Sequence, residues 1–282
     1  MMKNSTIPVA NKSKKTVQIG STIIGGSAFT VMAGPCSIES EPQFFETAQA
    51  VKNSGASILR GGIWKMRTSR ESFQGLGHEA FDFIKKVKAQ VGLPLISEVT
   101  DARQIEEIQS FVDAYQVGAR NMHNYSLLKE LGQQPKPVLL KRNFSGFIDE
   151  WLKAADYIVH GGNEQVILCE RGIRTFETAT RNTLDLNAVV YAKQYSSFPV
   201  IVDPSHAVGI SALVPQLCYA SAAAGADGLI VEVHPRPTEA LSDGHQALTL
   251  ESFEQMMRQL DRVLQAFDRS LNRSVANPSF VK

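Results

Sequence analysis

The chain has 282 residues, 43% hydrophobic and 20% charged, enough to bury a large core as one big domain or two small ones. A formal charge of +1 argues against nucleic acid or an anionic membrane surface as partner, and no apolar run approaches membrane-spanning length. The 3 cysteines, Cys36, Cys169 and Cys218, are widely spaced and follow no secretory apolar segment, which points to a reduced cytoplasmic protein without a disulfide framework.

In chain order, residues 1–16 are polar and read as loose. The stretch 17–29 contains VQIGSTIIGG, two alternating runs around Gly20-Ser21, and predicts a small hairpin. The first main strand is expected at 29–33. Ser40-Glu41-Pro42-Gln43 then has the form of a capping box with proline in the first turn. It opens a helix with Phe44, Phe45, Ala48 and Val51 on one face. Strand and helix alternate from there. Strands are expected at 58–60, 94–99, 114–119, 137–141, 165–169, 199–203 and 228–233. Helices are expected at 78–90, 101–111 and 126–131, through Ile148, Trp151, Leu152 and Ala155, and then at 183–194, 213–224 and 250–269. The last carries a stripe of Leu250, Phe253, Met257, Leu260, Leu264 and Phe267.

Eight strand–helix units at this length predict a closed parallel (β/α)8 barrel, the TIM barrel. An open doubly wound sheet is the rival, but no GxGxxG follows the first strand. The expected organisation is an amino-terminal extension with a hairpin at 1–28, a catalytic barrel at 29–270 and a tail at 271–282.

A barrel demands that functional groups cluster at the carboxyl ends of its strands. Those positions hold Cys36, then Arg60 and Lys65, Glu98, Arg120, Lys141 with Arg142, Arg171, Asp203 with His206, and Glu232 with His234. After the second strand the loop RGGIWKMRTSRESFQGLG combines glycines with Arg60, Lys65, Arg67 and Arg70. Close backbone approach and guanidinium forks suit a phosphate or carboxylate, although a basic loop can also be a solvated surface. Cys36, His206 and Glu232 come from strands that become neighbours when a barrel closes, and Asp243 in SDGHQAL could join them. A thiolate, an imidazole and two carboxylates suit one divalent ion such as Mn, Fe, Zn or Co. Each has a plainer reading: Cys36 a small buried hydrophobe, His206 a turn residue, Asp243 a helix cap. His234 and His245 compete for the imidazole.

At these residues the chain resembles the type I 3-deoxy-7-phosphoheptulonate (DAHP) synthases, in the branch close to the octulosonate 8-phosphate synthases. AGPCSIES, LRGGIWKMRTS with SFQGLG, SEVTD, VGARNM, LLKR, CERGIRTFE, VDPSHAVG and VEVHPRP with ALSDG carry the resemblance. It implies a (β/α) barrel that joins phosphoenolpyruvate to erythrose 4-phosphate, as a metal-dependent, cytoplasmic homo-oligomer, a dimer or tetramer. The metal ligands would fall on Cys36, His206, Glu232 and Asp243. Phosphoenolpyruvate contacts would fall on Arg60, Lys65, Arg120, Lys141 and Arg171, and aldose-phosphate contacts on Arg67, Thr68 and Ser69. Glu98 matches a carboxylate that handles the attacking water, with Lys141 beside it in proton transfer.

The chain departs from the family pattern at three places. Met66 stands where proline is usual, which frees the backbone before Arg67. Asn143 stands for glycine, a mild change because asparagine tolerates left-handed backbone, and His123 stands for glutamine. The Lys65–Arg67 spacing lacks the extra residue of the octulosonate enzymes and favours the four-carbon sugar. Alternatives are the same chemistry on another aldose such as arabinose 5-phosphate, and a silent barrel that binds phosphometabolites. With fewer than about thirty residues ahead of the barrel, little direct inhibition by single aromatic amino acids is expected.

Overall fold

In the computed structural model, which describes residues 13–272, strand and helix alternate as the periodicity predicts. β1 (Val17–Ile19) and β2 (Thr22–Ile24) pair antiparallel across Gly20-Ser21, with Gly20 at φ 58° turning the chain. Then follow β3 (Thr30–Gly34), α1 (Glu41–Asn53), β4 (Ile58–Arg60), α2 (Phe81–Val91), β5 (Leu95–Val99) and α3 (Arg103–Ile108). The middle holds β6 (Ala114–Val117), α4 (Tyr125–Gly132), β7 (Val138–Lys141), α5 (Ile148–His160), β8 (Val166–Glu170) and α6 (Leu186–Tyr195). The chain continues with β9 (Val200–Val202), α7 (Pro204–Val208), α8 (Val214–Ala223), β10 (Gly228–Glu232) and α9 (Leu250–Gln265). Strands β3 to β10 close into a parallel barrel, with β10 beside β3. No described helix is long and apolar enough to cross a membrane. The segment 1–12 and the tail beyond 272 lie outside the described residues.

The strands read as continuous apolar runs because both faces are covered. Outward residues such as Val31, Leu59, Tyr115, Leu140, Leu168, Val202 and Val231 pack with the helices in one large cluster. The alternate residues Met32, Ile58, Ile96, Ala114, Leu139, Ile167, Ile201 and Ile230 form a separate cluster with Val17, Ile19 and Ile24 of the hairpin. The hairpin touches Ser57, Pro94 and Pro199, each just ahead of a strand, so it seals the amino-terminal end of the barrel. Each fully buried aliphatic side chain contributes about 1.5–3 kcal/mol there.

Several local expectations change. Ser40 caps α1, its hydroxyl accepting from the Gln43 N–H at 3.3 Å, but the Gln43 side chain turns back to the N–H of Glu39 instead of Ser40. Phe45 is exposed, and Phe267 lies past the end of α9 and is exposed as well, so neither belongs to a buried stripe. The helix expected at 101–111 shortens to α3. Sequence periodicity also missed α7, too short to show a period. Its start is set by chemistry: Asp203 accepts from the His206 N–H at 2.9 Å and Pro204 occupies the first turn.

Candidate active site

Side chains alternate along a strand, so two residues beyond each inward apolar residue another side chain faces inward, nearer the carboxyl end. On β4, Ile58 is followed by Arg60; on β5, Ile96 by Glu98; on β6, Ala114 by Gln116; on β7, Leu139 by Lys141; on β9, Ile201 by Asp203; on β10, Ile230 by Glu232. On β3 the place belongs to Gly34, where a Cβ would come within 2.1 Å of the Arg60 carbonyl oxygen. The turns that follow add Cys36, Lys65, Arg120, Arg171, His206 and Asp243.

Cys36, His206, Glu232 and Asp243 are brought together, with one donor atom from each lying within 4.8 Å of the others. The Cys36 thiol approaches Asp243 Oδ2 at 3.3 Å, and His206 Nε2 lies 3.3 Å from Glu232 Oε1. The other ring nitrogen, Nδ1, lies 2.8 Å from the Asp203 carboxylate, which orients the imidazole so that Nε2 faces the cluster. Asp243 adopts left-handed backbone at φ 52°, a strained choice for a residue other than glycine. Burial, and then the charge of Glu232, push the Cys36 thiol up to about 12, so it keeps its proton until a cation displaces it. Burial alone would raise the Glu232 carboxyl, but His206 and Arg60 hold it well below the usual carboxylate range. A borderline set of one sulfur, one nitrogen and two carboxylates fits a divalent metal ion. His234 instead faces Glu39 at 3.4 Å and His245 is exposed, so neither enters the cluster.

Above and beside this cluster a cleft of about 870 Å³ opens to solvent. Lys65, Glu98, Arg120, Lys141 and Arg171 line it, joined by Met66, Arg67, Thr68 and Ser69 from the loop after β4. Lys65 Nζ lies 3.8 Å from Glu98; burial would lower its pKa, but the field of Cys36 and Glu98 raises it to about 12. Lys141 Nζ donates to Asp203 at 2.6 Å, inside the barrel. Glu98 also accepts from Gln116 at 3.4 Å, and a Cβ on Gly118 would lie 2.0 Å from its Oε1, so only glycine leaves this carboxylate its place.

Not every expected residue faces the cleft. Arg60 is only 3% exposed, does not line it, and is ion-paired with Glu232 at 2.7 Å. Arg142, beside Lys141, points to the opposite face and binds Glu170 and Asp185 at 3.1 and 2.8 Å, as alternation requires. Asn143 is not left-handed. Its side chain instead donates to the Ala119 carbonyl at 2.9 Å and accepts from the Ser145 N–H at 2.8 Å. His123 lies off the cleft, 3.8 Å from Glu150. Sequence reading missed Arg181 and Gln246. Gln246 donates to Glu232 at 2.6 Å and accepts from Arg181 at 2.7 Å. Neither stands at a strand end, so only an intervening-loop fold could reveal them.

The chain is similar to known proteins over most of its length. A family model described as the DAHP synthetase I family matches residues 6–266. The chain is 43% identical over 256 residues to a phospho-2-dehydro-3-deoxyheptonate aldolase of Thermotoga maritima, covering 91% of this chain and 76% of that one. It is 31% identical to a 2-dehydro-3-deoxyphosphooctonate aldolase of Acidithiobacillus ferrooxidans, covering 83% and 89%. The crystal structure of the Thermotoga maritima aldolase superposes with a TM-score of 0.90 at 42% identity, over 93% of this chain and 77% of that chain. A truncated form of 3-deoxy-D-arabino-heptulosonate 7-phosphate synthase from the same organism gives 0.86 at 39% identity, over 93% and 96%.

Proposed function

The chain belongs to the DAHP synthetase I family, and from that premise we propose how its cleft works. The reaction is an aldol-type condensation of phosphoenolpyruvate with erythrose 4-phosphate and water. It yields 3-deoxy-D-arabino-heptulosonate 7-phosphate and phosphate, the first step of the shikimate pathway. One observation carries the assignment of residues: the strand ends and the loops that follow them gather six cations around a cleft beside a four-donor cluster.

Phosphoenolpyruvate carries a carboxylate and a phosphate, and Lys65, Arg120, Lys141 and Arg171 would neutralise and orient both. Arg60, paired with Glu232, adds its field from below. Arg67, Thr68 and Ser69 would hold the phosphate of the aldose. A divalent ion held by Cys36, His206, Glu232 and Asp243, with Mn the first choice and Fe, Co or Zn alternatives, would supply Lewis acidity to the aldehyde. The enol carbon bonds to the aldehyde carbon and the aldehyde oxygen takes up a proton. Water then adds at the central enol carbon and loses one proton to the Glu98 carboxylate, with the Lys141 ammonium beside it in the proton transfer. The new hydroxyl then gives up its proton as the carbonyl forms and the carbon–oxygen bond to phosphate breaks; the departing phosphate takes up a proton, and Arg120 and Arg171 receive its charge. The barrel over 29–270 would be the catalytic unit, with the hairpin extension before it and the tail after it. Assembly as a cytoplasmic dimer or tetramer belongs to the same reading.

A second reading, the same chemistry on arabinose 5-phosphate, is favoured by Met66, which lines the cleft beside Arg67. Loss of phosphoenolpyruvate absorbance, followed with each aldose phosphate and with or without chelator, tests both. We expect aldose-dependent consumption that stops on chelation, with kcat/KM highest for erythrose 4-phosphate. Higher kcat/KM for the pentose would transfer the assignment to the second reading. No aldose-dependent consumption with any divalent ion would leave a silent binding barrel.

A further inference from the structure

A second space opens off the cleft, among the turns that follow β6, β7 and β8. It shares Arg120, Arg171 and Arg181 with the cleft and adds Phe144, Arg174 and Asn182. No carboxylate lines its roughly 420 Å³, and among the described residues Arg120, Arg171 and Arg174 form no ion pair. Arg171 is only 5% exposed, and its Nη1 has no hydrogen-bond partner. The Arg171 guanidinium thus keeps hydrogen-bonding capacity that no protein group uses.

Backbone bonds and stacking place the outer pair, and only Arg181 has a counter-ion, Asp243. The Arg174 N–H donates to the Phe144 carbonyl at 2.7 Å, and its guanidinium stacks 4.1 Å above the Phe144 ring. Reciprocal 2.9 Å bonds between Ile173 and Thr183 pin both ends of the connecting loop. Arg181 donates its N–H to the Val208 carbonyl at 3.0 Å and Nη1 to Gln246, with Asp243 at 3.7 Å. These anchors leave donors of each fork free for a tetrahedral oxyanion.

We propose that this side pocket is a separate binding site for inorganic phosphate and the exit subsite for the phosphate the reaction releases. The exit role rests on the function proposed above; the binding does not. Departing phosphate would pass from the cleft side of Arg120 and Arg171 to their outer side, where Arg174 and Arg181 take it up. Four guanidinium charges can carry two phosphate groups, so the pocket can fill while phosphoenolpyruvate is bound.

The test is binding of radiolabelled inorganic phosphate to metal-loaded enzyme saturated with phosphoenolpyruvate, with no aldose present. It is made on an Arg67→Ala background to silence the aldose-phosphate loop. We expect phosphate to bind still, and at least about tenfold more weakly once Arg174→Gln is added, the scale of one charged hydrogen bond. Arg174→Lys, which keeps a charge and loses the fork, should fall between. Abolition of phosphate binding by phosphoenolpyruvate, or an affinity unchanged within about twofold in both Arg174 variants, would overturn the site. Since no turnover is involved, failure of the condensation assay would leave this result standing.

Discussion

The barrel interior has two layers built from the same strands, and they differ in almost everything except geometry. The lower layer, from Met32 round to Ile230, is apolar and is closed from beneath by Val17, Ile19 and Ile24. The upper layer, two residues further along, holds Arg60, Glu98, Gln116, Lys141, Asp203 and Glu232. Arg60, Lys141, Asp203 and Glu232 are as buried as many core residues, yet each is paired. Buried ion pairs rarely outdo an apolar core in stability. The contrast teaches that the lower layer holds the cylinder together, while the upper one carries costly charges in the place where the proposed function needs them.

The strongest way to break this division is at the four-donor cluster. Cys36→Ala should lower metal-supported turnover on the order of a thousandfold, while circular dichroism and the unfolding midpoint stay near wild type; unchanged activity would remove Cys36 from the donor set. Because burial pushes this thiol up to about 12, metal uptake must expel its proton. Apparent metal affinity of the wild type should therefore rise with pH, and a calorimetric pH series should show a shallower rise in the variant. An equal slope would mean that the thiol proton is not displaced.

Beneath, the expectation reverses. Ile19→Ala removes a fully buried side chain from the plug and should cost about 2–4 kcal/mol in urea unfolding, with kcat/KM changed less than about twofold. If activity fell in step with stability, the two layers would be coupled rather than separate.

The smallest effect probes the seam between strand and turn. Gly118→Ala should displace the Glu98 carboxylate and lower kcat about tenfold, leaving the KM for phosphoenolpyruvate nearly unchanged. An unaltered kcat would take Glu98 out of proton transfer.

Most of the architecture was legible in the residues because short strands covered on both faces and amphipathic helices each have a period. α1 was found by its buried face and its cap, α2 and α9 by their buried faces, and the hairpin by Gly20 between two alternating runs. The donor set was legible in part, since strand ends are countable and a closed ring makes the first and last strands neighbours. What periodicity could not show is where a side chain turns after the strand has ended. It gave no reason for Arg60 to leave the cleft for Glu232, for Arg142 to bind Glu170, or for His234 to choose Glu39 over the cluster.

The sequence by itself thus determined which elements form, in what order, and which faces are apolar, because those depend on local spacing and on the cost of exposing hydrocarbon. Only the tertiary structure decided which charges pair, that α7 delivers His206, and that Arg174 and Arg181 converge on a space without a carboxylate. Those outcomes depend on distances between residues far apart in the chain, and ion pairing and desolvation change with every ångström of them.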